Sequence, residues 1–313
     1  MTRRTLFFLS IVLSIFIISS PAPGQNISLA EIKSGAAPDS VVYKTTGGVD
    51  LKLYVFNPGD ISPSKARTGE RSTAGVVWIH GGGWRGGNPQ MFFPHCRYYA
   101  ARGAVGICVQ YRLAKDGGPS VFDCIRDCKS AMRYIRAHAA ELGIDPEKIA
   151  VMGDSAGGHL AGCMAVMEGC DDSADDMSVS AQANAAVMYN PVADLAIERW
   201  MALFQERDGL SVRQRAEKAS PINFVGKDEP PCMVLHGFDD TVVDAQQAID
   251  FSMKMTAGGS RCDLMLLGKT GHAFVIPDYR APDSKVVRAI RAGDEFLVSL
   301  GMLGGRPTLT VGK

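Results

Sequence analysis

Residues 41–56 alternate apolar and polar positions around Gly47-Gly48, the pattern of an antiparallel hairpin. Beyond it, short apolar runs alternate with segments of helical period. Val76–His80 reads as a strand, Phe92–Arg102 as a helix and Val105–Tyr111 as the next strand. In Val121–Leu142 one stripe carries Val121, Ile125, Cys128, Ala131, Met132, Ile135 and Ala139, so an amphipathic helix is predicted. Gly143 ends it, with Pro146 three residues on. Ile149–Met152 reads as a strand that runs straight into Gly153-Asp154-Ser155-Ala156-Gly157, where a helix of small residues begins. Ala185–Tyr189, Cys232–His236 and Leu264–Leu267 read as further central strands, with helices around Ala245–Thr256 and Ser284–Leu300. Apolar strands separated by helices predict an α/β fold: a mostly parallel central sheet covered by helices on both faces. Polar, helical residues 195–220 depart from this alternation between two strands and are a candidate lid.

The chain ends refine this picture. Arg3 and Arg4 precede Leu6–Ile18, a 13-residue run that is apolar except for Ser10 and Ser14. Ala22 and Gly24 then supply the small residues a signal peptidase reads, so residues 1–24 are expected to be a secretory signal peptide. A run of that length spans only ~20 Å as a helix, short of the ~30 Å hydrocarbon core, which disfavours a retained anchor. Thr2-Arg3-Arg4 also loosely resembles a twin-arginine signal, a second export route. Residues 25–300 are expected to form a single domain, exported to the periplasm or the exterior, and 301–313 a frayed tail. Thirty-three basic and 33 acidic residues cancel, so no global field draws the protein to nucleic acid or anionic lipid. Eight cysteines lie beyond residue 90 without the spacing of a small disulfide framework, and buried free thiols are the expectation for most of them.

Strand, Gly-x-Ser-x-Gly, helix is the layout of a nucleophile elbow, with Ser155 as the candidate nucleophile. Chance matches to five residues are common; the flanking strand and helix are what favour the catalytic reading over an incidental glycine turn. A second glycine run, His80-Gly81-Gly82-Gly83-Trp84, follows a strand. Backbone N–H groups reach a developing oxyanion only where no side chain intervenes, so Gly82 and Gly83 are candidate oxyanion donors together with Ala156. The run lacks the Lys-Ser/Thr ending of a P-loop and the spacing of a dinucleotide site. Trp84 either walls a substrate pocket or packs in the core.

A serine hydroxyl needs a base, and the base an orienting carboxylate. Of six histidines, only His272 lies in a loop past all the central strands; His80 belongs to the glycine run, His138 to an exposed helix, and His159 and His236 suit packing or local hydrogen bonds. The segment His236-Gly237-Phe238-Asp239-Asp240 leaves a strand with two aspartates within reach of the role; Asp240 is preferred and Asp239 is the alternative.

Together, HGGGW (80–84), YRLA (111–114), GDSAGGHLA (153–161), HGFDDTVV (236–243) and GHAF (271–274) resemble hormone-sensitive-lipase-like esterases of the α/β-hydrolase superfamily, and within it the feruloyl and acetyl-xylan esterase branch. The resemblance runs from about Val41 to Leu300. It implies a serine carboxylesterase with Asp240 as the triad acid, no metal and no organic cofactor, acting on small or polysaccharide esters. Asp244 departs from the pattern, since relatives often carry proline after the paired valines. A prolyl-oligopeptidase-type peptidase would need a large N-terminal domain for which the chain before the glycine run is too short, and an arylformamidase fits an export signal poorly. A catalytically dead binding module is the rival from another class, against which stands the filling of every triad and oxyanion position.

Overall fold

A computed structural model describes residues 26–58 and 73–312. The expected signal peptide therefore lies outside the described residues. Among those described, no helix is long and apolar enough to cross a membrane.

The predicted hairpin is β2 (Asp39–Thr46) and β3 (Val49–Phe56), following the short strand β1 (Ile27–Ser28) and helix α1 (Leu29–Lys33). Gly47 and Gly48 both take positive φ, +57° and +74°, which lets a two-residue turn match the strand twist. Next come β4 (Thr73–Ile79), a short 3₁₀ turn, α2 (Phe93–Ala101) and β5 (Val105–Val109). Helix α3 (Val121–Ala137) starts where Asp123 Oδ2 accepts the Ser120 N–H at 2.8 Å. All seven stripe residues are buried. The regular helix ends at Ala137, earlier than the period suggests: the His138 ring turns back to stack on Tyr134, centroids 4.0 Å apart. A one-turn helix α4 (Ala139–Leu142) follows, closed by Gly143 at φ +70°.

β6 (Ile144–Asp154) is longer than the apolar core Ile149–Met152: Ile144 pairs with Thr73 of β4, and polar Asp145–Lys148 lies in the register break before Ile149 meets Gly75. Helix α5 (Ala156–Val166) is buried at every position, as a helix of small and apolar residues must be. The remaining elements are β7 (Ala185–Tyr189), α6 (Glu198–Met201), α7 (Val212–Ala219), β8 (Cys232–Gly237), α8 (Gln246–Ala257), β9 (Cys262–Leu267), α9 (Asp283–Ser299) and β10 (Leu309–Thr310). The main sheet has eight strands in the order β2-β3-β5-β4-β6-β7-β8-β9. Only the pairs involving β3 are antiparallel. Two separate apolar cores, one per face, sandwich it: Val77, Ile107 and Val151 point into one, Val76, Trp78 and Met152 into the other. The fold class is the α/β one expected.

Residues 301–312 correct the expectation of a frayed tail. β10 pairs in parallel with β1, Leu309 and Thr308 are buried, and Arg102 donates to the Gly304 carbonyl at 2.9 Å. A two-residue strand has no period for a sequence reading to detect. Six of the eight cysteines are buried and all eight carry free thiols.

Candidate active site

β6 ends in Gly153-Asp154-Ser155 and α5 begins at once. Ser155 sits at φ 56°, ψ −120°, a backbone region that side-chain-bearing residues avoid at a cost of about 1–3 kcal/mol. Two glycines permit the turn. A Cβ on Gly153 would lie 2.2 Å from the Gly157 carbonyl oxygen, and one on Gly157 only 2.0 Å from that of Ile79. The Ser155 N–H is anchored on the Tyr189 carbonyl at 2.9 Å, which fixes the elbow to β7.

Asp240 lies in the turn after β8. Its Oδ1 accepts the N–H groups of Val242 and Val243 at 2.8 and 3.0 Å. His272, in the loop after β9, places Nδ1 2.7 Å from Asp240 Oδ2 and Nε2 2.9 Å from Ser155 Oγ. An ionised carboxylate can only accept, so Nδ1 carries the ring proton and the Nε2 lone pair faces the serine hydroxyl. The Asp240 side chain is buried, which by itself would push its pKa up. The nearby His236 imidazole and the hydrogen bonds from His272 and the Val243 N–H outweigh burial and hold the carboxyl well below the usual carboxylate range. Three distant segments thus converge on one hydroxyl. Asp239 is exposed to solvent beside them.

The glycine run lies against the elbow: a Cβ on Gly81 would be 2.7 Å from the Asp154 carbonyl oxygen and 3.2 Å from Ser155 Cβ. Gly82 and Gly83 hold φ of +112° and +62°, and a Cβ on Gly82 would strike the Gly86 carbonyl oxygen at 2.3 Å. His80 braces this loop, its Nδ1 2.8 Å from the Gly81 carbonyl and its ring stacked on Tyr111. Burial lowers the His80 pKa to about 4, so at neutral pH it acts as a neutral donor. Ala156 occupies the first turn of α5, where an N–H has no intrahelical acceptor.

A family model, BD-FAE, matches residues 60–255, more than half of the chain. The chain belongs to the BD-FAE family. Apo Thermogutta terrifontis esterase 2 superposes on it with a TM-score of 0.77 at 34% identity, over 87% of this chain and 98% of that one. Esterase LipQ of Mycobacterium tuberculosis is 28% identical over 285 residues, covering 87% of this chain and 64% of its own length. Probable carboxylic ester hydrolase LipM of the same organism is 32% identical over 193 residues, covering 57% of this chain and 44% of its own length. The aligned part thus spans less than two thirds of these two mycobacterial relatives. The expected family and the α/β-hydrolase fold both hold.

Within this BD-FAE member, Trp84 is not a pocket wall. It is fully buried, and its indole N–H is spent on His159 Nδ1 at 3.1 Å. His159 in turn lies 2.7 Å from the Ala219 carbonyl, so its Nε2 carries the proton and donates there. Trp84 also meets Trp200 edge-on, centroids 5.8 Å apart. It is a core residue that ties the glycine run to α5 and to the 195–220 excursion. That excursion also reaches the Asp240 turn, where Arg199 donates to the Thr241 carbonyl at 3.3 Å.

Two polar residues at the site carry no separate signal in the motif pattern. Asp154, the variable position of the elbow, is fully buried, and its Oδ1 accepts the Asn190 side-chain N–H at 2.8 Å. Burial raises its pKa to about 6, against the smaller opposing effects of His272 and Asn190. His236 is buried with Nε2 3.3 Å from Asp240 Oδ2 and 3.0 Å from the Val243 carbonyl. His159 has the packing and hydrogen-bonding role expected of it; His138 sits half-buried in the break between α3 and α4 rather than on an exposed helix, and Asp244 accepts the Gln246 N–H at 2.9 Å. No group of three or more His, Cys, Asp or Glu suited to a metal occurs among the described residues.

Proposed function

We propose that the protein is an exported serine carboxylesterase that cleaves esters through an acyl-enzyme. The observation that carries this reading is the unbroken run from Ser155 Oγ through His272 to Asp240, at 2.9 and 2.7 Å, on a strained elbow. His272 takes the Ser155 proton as the oxygen attacks the ester carbonyl. Asp240 stabilises the imidazolium that forms. The N–H groups of Gly82, Gly83 and Ala156 receive the oxyanion; loss of one such donor typically costs about 3–4 kcal/mol in the transition state. The imidazolium then protonates the leaving alcohol, and water activated by His272 releases the acid.

Short acyl groups are the substrates we favour. Thermogutta terrifontis esterase 2 has been solved with propionate and with butyrate bound. The excursion 195–220, packed beside both the glycine run and the Asp240 turn, suits a lid over the triad. Turnover of p-nitrophenyl acetate, propionate and butyrate, falling at least a thousandfold in Ser155→Ala, is the expected result. Equal turnover by both proteins would end the esterase reading.

The finer assignment is the removal of acetyl or feruloyl groups from polysaccharides outside the cell. It is supported by the family and by the leader-like first 24 residues. Acetate released from acetylated xylan, and a secreted product that begins near residue 25, are the outcomes expected. Fast cleavage of short synthetic esters with no release from xylan would count against the polysaccharide assignment alone.

A further inference from the structure

The Asp240 carboxylate is held from more sides than a triad requires. Two backbone N–H groups occupy Oδ1, and Oδ2 faces two imidazoles, His272 Nδ1 at 2.7 Å and His236 Nε2 at 3.3 Å. The second imidazole cannot be oriented by chance. His236 is completely buried at the end of β8, four residues before Asp240, and its Nε2 also lies 3.0 Å from the Val243 carbonyl. Both neighbours of Nε2 only accept, so Nε2 must carry the proton; it bonds the Val243 carbonyl, with Asp240 Oδ2 just beyond at 3.3 Å. The other ring nitrogen, Nδ1, is buried with no hydrogen-bond partner. The Val243 bond thus fixes the ring with its N–H end beside the triad carboxylate and its acceptor unsatisfied.

We propose that His236 is a positioning residue for the reaction: its Nε2–H, held on the Val243 carbonyl, lies 3.3 Å from Asp240 Oδ2, and its positive end sets how strongly that carboxylate holds the proton on His272. This rests on the Ser155–His272–Asp240 reading. With three donors on the carboxylate and the His236 Nε2–H beside it, the negative charge on Asp240 is spread. With the His236 donor removed, the charge concentrates on the bond to His272, which favours the imidazolium already in the free enzyme, and the carboxylate gains freedom to tilt. The base is then blocked by its own proton to a higher pH, and fewer molecules have the ring aimed at Ser155. Other charged or titratable groups face the same pair and contribute to any pH profile: Asp154 from the end of β6, and Arg199 from the 195–220 excursion, which bonds the Thr241 carbonyl.

Two variants separate positioning from packing. His236→Met fills the space without a donor; His236→Gln can place an amide N–H where Nε2 stood. For His236→Met we expect kcat on a short acyl ester to fall about tenfold with KM little changed, and the acidic limb of kcat/KM to move up by roughly half a pH unit. His236→Gln should restore kcat to within about threefold and return the limb to its wild-type position. A wild-type pH profile in folded His236→Met, or equal losses in both variants, overturns the proposal while leaving the triad intact. Failure of the triad itself would show instead as full activity in Ser155→Ala. Should neither variant fold, nitrogen-15 histidine spectra of the wild-type protein decide: Nε2–H on His236 is required, and an Nδ1–H tautomer contradicts the assignment.

Discussion

Two aspartates with covered side chains, one at the end of β6 and one in the turn after β8, both interact electrostatically with His272 yet titrate in opposite directions. Asp154 sits in the strained elbow with a single hydrogen-bond donor given to it, the Asn190 amide, and burial lifts its pKa to about 6. The Asp240 side chain is also covered, but two backbone N–H groups and the His272 imidazole donate to it, with His236 Nε2 3.3 Å away, and its pKa falls. Desolvation acts on both; the number of donors decides the sign. A catalytic site needs the second arrangement, because the carboxylate opposite the base must stay charged while an imidazolium forms beside it.

Isosteric Asp→Asn changes at the two positions put this contrast under most strain. Asp240→Asn keeps the shape of the turn but offers His272 an amide, which can hold the wrong ring tautomer. Its kcat on a short acyl ester should fall on the order of 10⁴-fold, as loss of the triad carboxylate does in other hydrolases. A loss below tenfold would move the acid to another residue.

Stability comes next in size, and here the two variants should differ in sign. The lowered pKa of Asp240 means that its contribution is present above the unfolded value, near 3.8, and is lost as pH falls through the lower folded value. Asp240→Asn should therefore cost about 1–2 kcal/mol at pH 7, with the deficit shrinking below pH ~4. For Asp154 the folded pKa lies above the unfolded one, so ionisation penalises the folded state increasingly from 3.8 up to about 6 and fully above that. Asp154→Asn should gain roughly 1–3 kcal/mol at pH 8 and nothing below pH ~4. Urea melts at three pH values check both; same-sign changes would break the contrast.

Smaller effects follow on rate. Above pH 6 the Asp154 carboxylate is charged and favours the imidazolium on His272, so Asp154→Asn should lower kcat about threefold at pH 8 and hardly at pH 5. The smallest change belongs to Asp239→Asn. That residue is adjacent to Asp240 in sequence but faces solvent, and kcat should stay within about twofold of wild type.

Much of this arrangement is legible in the chain because it depends on strong local signals. The seven-residue stripe that runs through α3 into α4 is a long 3.6-period pattern and is buried in full. Ser155, Asp240 and His272 are marked by glycines and strand ends that a sheet of this kind brings to one edge, and the structure sets them at hydrogen-bond distance. Where the signal was weak or long-range, it failed. Trp84 stands next to the oxyanion candidates in sequence, but its partner His159 lies 75 residues away, and that contact turns the ring inward. The parallel pairing of Leu309 with Ile27 brings together segments far apart in the sequence and leaves no trace in either. His138 ends α3 by stacking on Tyr134, a side-chain choice that helical period does not encode. His236 shows how a functional contact hides: a histidine at a strand end suits local bonding, and only the curl of the β8 turn brings Asp240 Oδ2 to it.

The most direct test of the central claim is covalent. Thermogutta terrifontis esterase 2 has been solved phosphorylated by paraoxon. Paraoxon-treated protein should carry one diethylphosphoryl group, mapped by peptide mass spectrometry to the peptide containing Ser155 and missing in Ser155→Ala. An adduct on another residue, or none while esterase activity persists, would contradict the assignment of the nucleophile.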